Sequence, residues 1–165
     1  MSDTNDYIQI MLESLEKKSE LLDKLIARNE AQRACVEGKD FDTIDWETFN
    51  ILVVEKDIAI ERINKMDEGF QSLYDRVKEQ LNGDKDKYAA QIKEIQRLIG
   101  VVTDQGVRIR TEEERNRKLI ETVLGGKKKE IRQTRNSLRV VSSYAKTMQD
   151  AFGAQSSTIS LKSEK

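Results

Sequence analysis

Apolar residues recur along this chain in steps of three and four, the spacing that keeps side chains on one stripe of an α-helix. The first stripe reads Ile8, Leu12, Leu15, Ser19, Leu22, Ile26, Asn29, Arg33 and Val36, softened near its end by Asn29 and Arg33. Gly38 is placed to end that helix with a left-handed cap, and Asp45 or Thr43 to start the next. Between them Phe41, Ile44 and Trp46 are bulky for a connector and are expected to fold over the end of a bundle as a plug. The second stripe reads Phe49, Val53, Lys56, Ile60, Ile63, Asp67, Phe70, Tyr74, Val77 and Leu81. Leu52, Ile58, Met66 and Leu73 widen it, as in a helix that touches two neighbours. Asn82-Gly83-Asp84 predicts the next turn, with Gly83 as a left-handed cap and Asp84 as an N-cap.

The third stripe runs through Tyr88, Ile92, Ile95, Ile99, Val102, Gly106 and Ile109 and crosses a polar stretch, Thr111 to Lys118. It resumes at Ile120, Val123 and Leu124, meets Gly125-Gly126, and restarts with Ile131, Leu138, Val141, Ala145, Met148 and Phe152. Each helical glycine costs roughly 1 kcal/mol, so the pair either breaks this helix or only weakens it. The prediction is an all-α fold: an elongated antiparallel three-helix bundle or coiled coil with a long third helix. One helical domain spans 1–152, with helices at about 5–37, 45–81 and 84–150 and a break point at 125–126. Residues 153–165, rich in Ser, Thr and Lys, read as a disordered tail.

Short connectors make consecutive helices antiparallel neighbours. Folding at Asn82-Gly83 sets Trp46 opposite a residue near Leu119, and the first connector brings Ile8 near Tyr74. The three-helix body then ends near residue 120, roughly 50 Å long at 1.5 Å per residue. The apolar stripe beyond it, from Gly125 to Phe152, is left without an intramolecular partner. Leu138, Val141, Ala145 and Met148 have the spacing of a helix that docks on another helix. They suit a partner protein, a fold back onto the chain's own bundle, or a homodimer.

Composition narrows the chemistry. Proline is absent, charged residues make up 36% and aromatics 5%, which suits long half-exposed helices better than a thick globular core. Cys35 is the only cysteine, ruling out an intramolecular disulfide, and with Ala34 and Val36 beside it reads as a small packing residue. The chain has no histidine. That removes the commonest general base and neutral metal ligand, and no catalytic residue, metal site or cofactor is expected. Glu112, Glu113 and Glu114 read as a solvated mixed-charge face. The acidic Met1-Ser-Asp start lacks the basic and apolar parts of a secretion leader, and no apolar run approaches the roughly 18 residues of a membrane span. A cytoplasmic protein without membrane insertion is the expectation.

Charge is uneven. Residues 1–105 carry 15 Lys/Arg against 23 Asp/Glu, while 106–149 carry 12 against 5. Lys127, Lys128, Lys129, Arg132, Arg135 and Arg139 could meet phosphates, but the acidic helices would repel the same polyanion. Pairing across the bundle accounts for part of the basic charge, so nucleic acid is not the expected partner.

The order of these features resembles the FlgN family of flagellar export chaperones. The local match is Glu114-Arg-Asn-Arg-Lys-Leu-Ile-Glu-Thr-Val-Leu124, where Asn116, Leu119 and Ile120 occupy the positions of an Asn-x-x-Leu-Ile element in the family's last helix. Ser137-Leu-Arg-Val-Val-Ser-Ser-Tyr144 is similar to the family's leucine-containing stretch ending in tyrosine. The resemblance implies a non-enzymatic chaperone that keeps hook-associated flagellar proteins unpolymerised and delivers them to the type III export gate. It implies a client surface at Leu119, Ile120, Val123, Leu124, Ile131, Leu138, Val141 and Met148, and docking at the gate through Tyr144. The Gly125-Gly126 pair and the long basic extension depart from shorter members. The other reading is a self-associating structural or adaptor coiled coil.

Overall fold

The computed structural model describes residues 2–131. Three helices account for nearly all of them: α1 (Ser2–Val36), α2 (Trp46–Gly83) and α3 (Ala89–Ile131). No strand occurs among the described residues, and the chain forms an all-α three-helix bundle. None of these helices is long and apolar enough to cross a membrane.

Pairings across the bundle set the register. Lys18 meets Asp67, Arg28 meets Glu55 and Tyr7 meets Arg76, so positions rise on α1 as they fall on α2. Positions on α1 rise together with those on α3: Gln105 donates to the Ser19 carbonyl, Asn29 to Glu112, and Arg115 pairs with Glu30. Thus α1 is antiparallel to α2 and parallel to α3. The central element is α1, whose backbone runs close to both neighbours, while α2 and α3 keep their backbones apart. Side chains of α2 nonetheless reach α3 as well as α1, as Lys56 does Glu113, and of its widening residues Leu52 is buried while Met66 and Leu73 pack against the interior. Ile58, the remaining one, faces solvent.

The connector follows the expected local chemistry. Gly38 adopts φ 75°, a left-handed backbone open to glycine at little cost. Asp40 and Thr43 bond each other's backbone and side chains across a tight turn. Asp45 then caps α2: its carboxylate accepts from the Thr48 backbone N–H at 3.1 Å and from the Thr48 hydroxyl at 2.7 Å. Those bonds from Thr48 hold the Asp45 carboxyl below its ordinary range.

The second reversal differs from its prediction. Gly83 stays helical, and Asp84 closes α2 by donating its N–H to the Gln80 carbonyl at 3.1 Å. A turn over 84–88 intervenes before α3, in which the Tyr88 N–H reaches the Asp84 carbonyl at 3.4 Å. Helix-like bonding carries the chain through the reversal, so neither a left-handed glycine nor an aspartate N-cap is required. Nor does the glycine pair interrupt α3, which is continuous through Gly125 and Gly126.

Two apolar clusters fill the interior. The larger, the body, joins Ile8, Met11, Leu15, Leu22 and Leu25 to Ile60, Ile63, Val77 and Leu81 and to Tyr88, Ile95, Leu98, Val102 and Ile109. The smaller, the cap, lies at the connector end and joins Val36, Ile44, Trp46, Phe49 and Val53 to Ile120 and Leu124. On α3 the interior position falls to Leu98, and the expected Ile99 is exposed.

Candidate functional site

Leu119, Ile120, Val123 and Leu124 come together at the connector end, but under cover. Ile120 and Leu124 are buried in the cap cluster, and Leu119 and Val123 pack half-buried against it. Their partners belong to the same chain. Phe41 lies 5.2 Å from Trp46 between ring centroids, Trp46 lies 5.6 Å from Phe49, and the Trp46 indole donates to the Phe41 carbonyl at 2.9 Å. The connector does form the expected plug, and it lies over the residues expected to be open to a client. Farther on, the Lys127 ammonium meets Asp42 at 3.0 Å and stands 5.2 Å from the Phe41 ring, clasping α3 to the connector. Ile131 is the last residue of α3; Leu138, Val141, Tyr144 and Met148 lie outside the described residues.

Between the two clusters a polar cross-section spans the bundle. All three helices contribute to it at one level: Asn29 and Gln32 from α1, Lys56 from α2, and Glu112, Glu113 and Asn116 from α3. Lys56 is 0% exposed. Its ammonium donates to Gln32 Oε1 at 2.7 Å and pairs with Glu113 Oε2 at 2.8 Å. Glu112 accepts from Asn29 at 3.2 Å and from Arg108 at 2.9 Å, and Asn116 donates to the Asn29 carbonyl at 3.0 Å. Asn29 Oδ1 and Gln32 Nε2 are buried without a hydrogen-bond partner among the described residues. Burial lowers the Lys56 pKa and raises that of Glu113, each partly offset by the other's charge.

This level corrects the reading of Glu112, Glu113 and Glu114 as a solvated face. Only Glu114 faces water, bonded to Arg117 one turn on. Glu112 and Glu113 turn inward because Asn29 and Lys56 lie across from them. The available signal was positional: Asn29 and Lys56 each interrupt an apolar stripe, and the register brings both interruptions opposite the polar stretch of the third.

The basic residues of α3 are largely paired. Arg115 and Lys127 reach Glu30 and Asp42 on other elements, while Arg108 and Arg117 bond carboxylates along α3 itself. Cys35 packs against the cap, and desolvation raises its thiol pKa above the ordinary range. No group of three or more acidic or cysteine side chains is arranged to hold a metal ion among the described residues.

Two other surfaces are notable. Because the backbones of α2 and α3 stay apart, open clefts of about 330 and 510 Å³ lie between them, floored by Leu22 and Leu25 and by Met11 respectively. On the outer side of α2, Ile51, Val54 and Ile58 form an apolar stripe exposed by 53%, 57% and 54%. Comparison with known proteins finds no matching family model, no similar characterised protein and no similar solved structure.

Proposed function

We propose that this chain is a cytoplasmic, non-enzymatic binding protein that engages a partner helix at the distal end of α3. On the resemblance at Glu114–Leu124, the partner class is the hook-associated flagellar proteins, kept unpolymerised and passed to the type III export gate. One observation carries the docking reading. The apolar face of α3 meets the end of the bundle at Leu124, yet the helix continues past the connector to Ile131, with the chain running on from there. A helix that outlasts its neighbours offers one more helix the same ridges and grooves that hold the bundle together. Subunits that polymerise through apolar terminal helices present the complementary surface.

Co-purification of the full-length chain with a hook-associated protein is the expected result. A chain that captures no such client while remaining folded by circular dichroism would refute the export reading. The second reading, a self-associating coiled coil, draws support from the Ile51, Val54 and Ile58 stripe, three exposed branched residues within two turns. Light scattering separates the two. A stable dimer dispersed by Ile51→Lys/Ile58→Lys favours self-association; a monomer in both forms removes that reading.

A further inference from the structure

We propose that the cap opens as a unit while the body stays folded, and that this opening regulates access to the apolar face of α3. The regulatory half rests on the docking function above; the opening itself does not.

The case is geometric. The polar cross-section supplied by Gln32, Lys56 and Glu113 separates the two apolar clusters on all three helices at once. Apolar contact makes unfolding cooperative, and here that continuity is interrupted by groups that can return to water when the cap loosens. Among the described residues the clusters are also unequal: fifteen buried residues in the body against seven in the cap. Since the apolar driving force scales with area buried, the cap is the weaker unit. Its cover is a short connector with the first residue of α2, held to α3 by Phe41, Ile44, Trp46 and the Lys127–Asp42 pair. What those residues present to α3 also describes the competitor: an amphipathic helix with an aromatic and a large aliphatic anchor, taking the place of Phe41 and Ile44.

The chain carries its own reporter, because Trp46 is its single tryptophan and lies in the cap. Urea unfolding followed by Trp46 fluorescence should give a midpoint at lower urea and a shallower slope than the loss of helicity. Coincident transitions would overturn the proposal. Gln32→Leu/Lys56→Met/Glu113→Leu, which makes the Lys56 half of the cross-section apolar and leaves Asn29, Glu112 and Asn116, should bring the two midpoints closer together; an unchanged separation in that variant would remove the Lys56 group as the divider. If the variant does not fold, native-state hydrogen exchange of the unaltered chain decides the same point. Amides of 47–54 and 117–124 should open more readily than those of 8–25, and equal protection contradicts the proposal.

Regulation is tested by closing the cover. In a Cys35→Ser chain carrying Asp42→Cys and Lys127→Cys, a short bismaleimide should abolish capture of a hook-associated protein, and the unlinked form should retain it. Equal capture by both overturns the regulatory half. No capture by either, with the two transitions still separated, sinks the export reading and leaves the opening unit standing.

Discussion

The body and the cap are built from the same helices by the same stripe pattern, yet they are held differently. The body packs aliphatic side chains against each other along most of the bundle, closed at one end by Tyr88 in the turn before α3. The cap depends in part on a non-helical segment: a turn shaped by Gly38, Thr43 and Asp45 delivers Phe41 and Ile44 to the helix ends, where Trp46 opens α2. A helical stripe buries surface in proportion to its length, whereas a plug buries it only while its turn keeps its form. The lesson concerns function: a surface covered by helices is fixed, and a surface covered by a connector can be uncovered.

Substitutions should separate the two regions, the largest effects first. Phe49 is fully buried in the cap, and Phe49→Ala should cost about 3–5 kcal/mol there. The variant should lose the Trp46 fluorescence transition in dilute urea and keep most of its helicity. Ile109→Ala, at an equally buried body position, should cost about 2–5 kcal/mol and shift both transitions. A Phe49→Ala chain that loses helicity in step with fluorescence would erase the distinction.

Glu113→Leu should be comparably severe, about 3–5 kcal/mol by urea unfolding, because it leaves a buried ammonium without its counter-charge. Lys56→Met should cost less, since the Glu113 side chain keeps 12% exposure and can take up a proton. The Lys56→Met chain should also reveal a pH dependence. Burial raises the folded-state pKa of Glu113 above the ordinary 4.5, and its counter-charge is then gone. Between 4.5 and the raised value the folded state binds a proton that the unfolded state has released. Stability should therefore rise as pH falls through that window and level off below it. A flat profile would place Glu113 in water.

The smallest effect is expected at Asp45→Ala, which removes the α2 cap. The fluorescence midpoint should fall slightly and the helicity midpoint hardly at all. Acid should act alike: the Asp45 carboxyl is held below its ordinary 3.8 by Thr48, so its contribution is present above that value and lost as pH falls through the depressed one.

Much of this was legible in the residues. Steps of three and four located Ile8, Leu15, Val53, Ile60, Val77 and Ile109 in the interior, because periodicity reports a face directly. Gly38 and Asp45 were legible because a left-handed turn and a helix start each admit few side chains. The identity of the central helix was not, since a wide stripe shows that a face is covered and not by what. Ile58 and Ile99 are apolar enough to be read as interior, and only the register of the neighbouring helices sets them outside. The fate of Glu112 and Glu113 was hidden for a related reason. Whether a carboxylate faces water depends on Lys56 and Asn29, which are distant in sequence. At the candidate site, Leu119, Ile120, Val123 and Leu124 were marked as client surface only through the family resemblance, while the stripe read as lacking a partner began at Gly125. The plug of Phe41, Ile44 and Trp46 and the place of Trp46 opposite Leu119 were both legible, and together they put Leu119 to Leu124 under cover.

The central place of α1 also bears on the order of assembly. Its contacts with α2 close across one short connector, whereas its hydrogen bonds with α3 join positions 82 to 87 residues apart. Local pairing forms sooner than distant pairing, so the α1–α2 hairpin should precede the docking of α3. Until α3 arrives, Lys56 has no Glu113 and remains hydrated on the open face of that hairpin. Desolvating the ammonium and meeting its carboxylate then belong to the same late step. Substitutions at this pair should accordingly act on the folding rate of the whole chain, while those in the connector leave it unchanged and speed only the release of the cover.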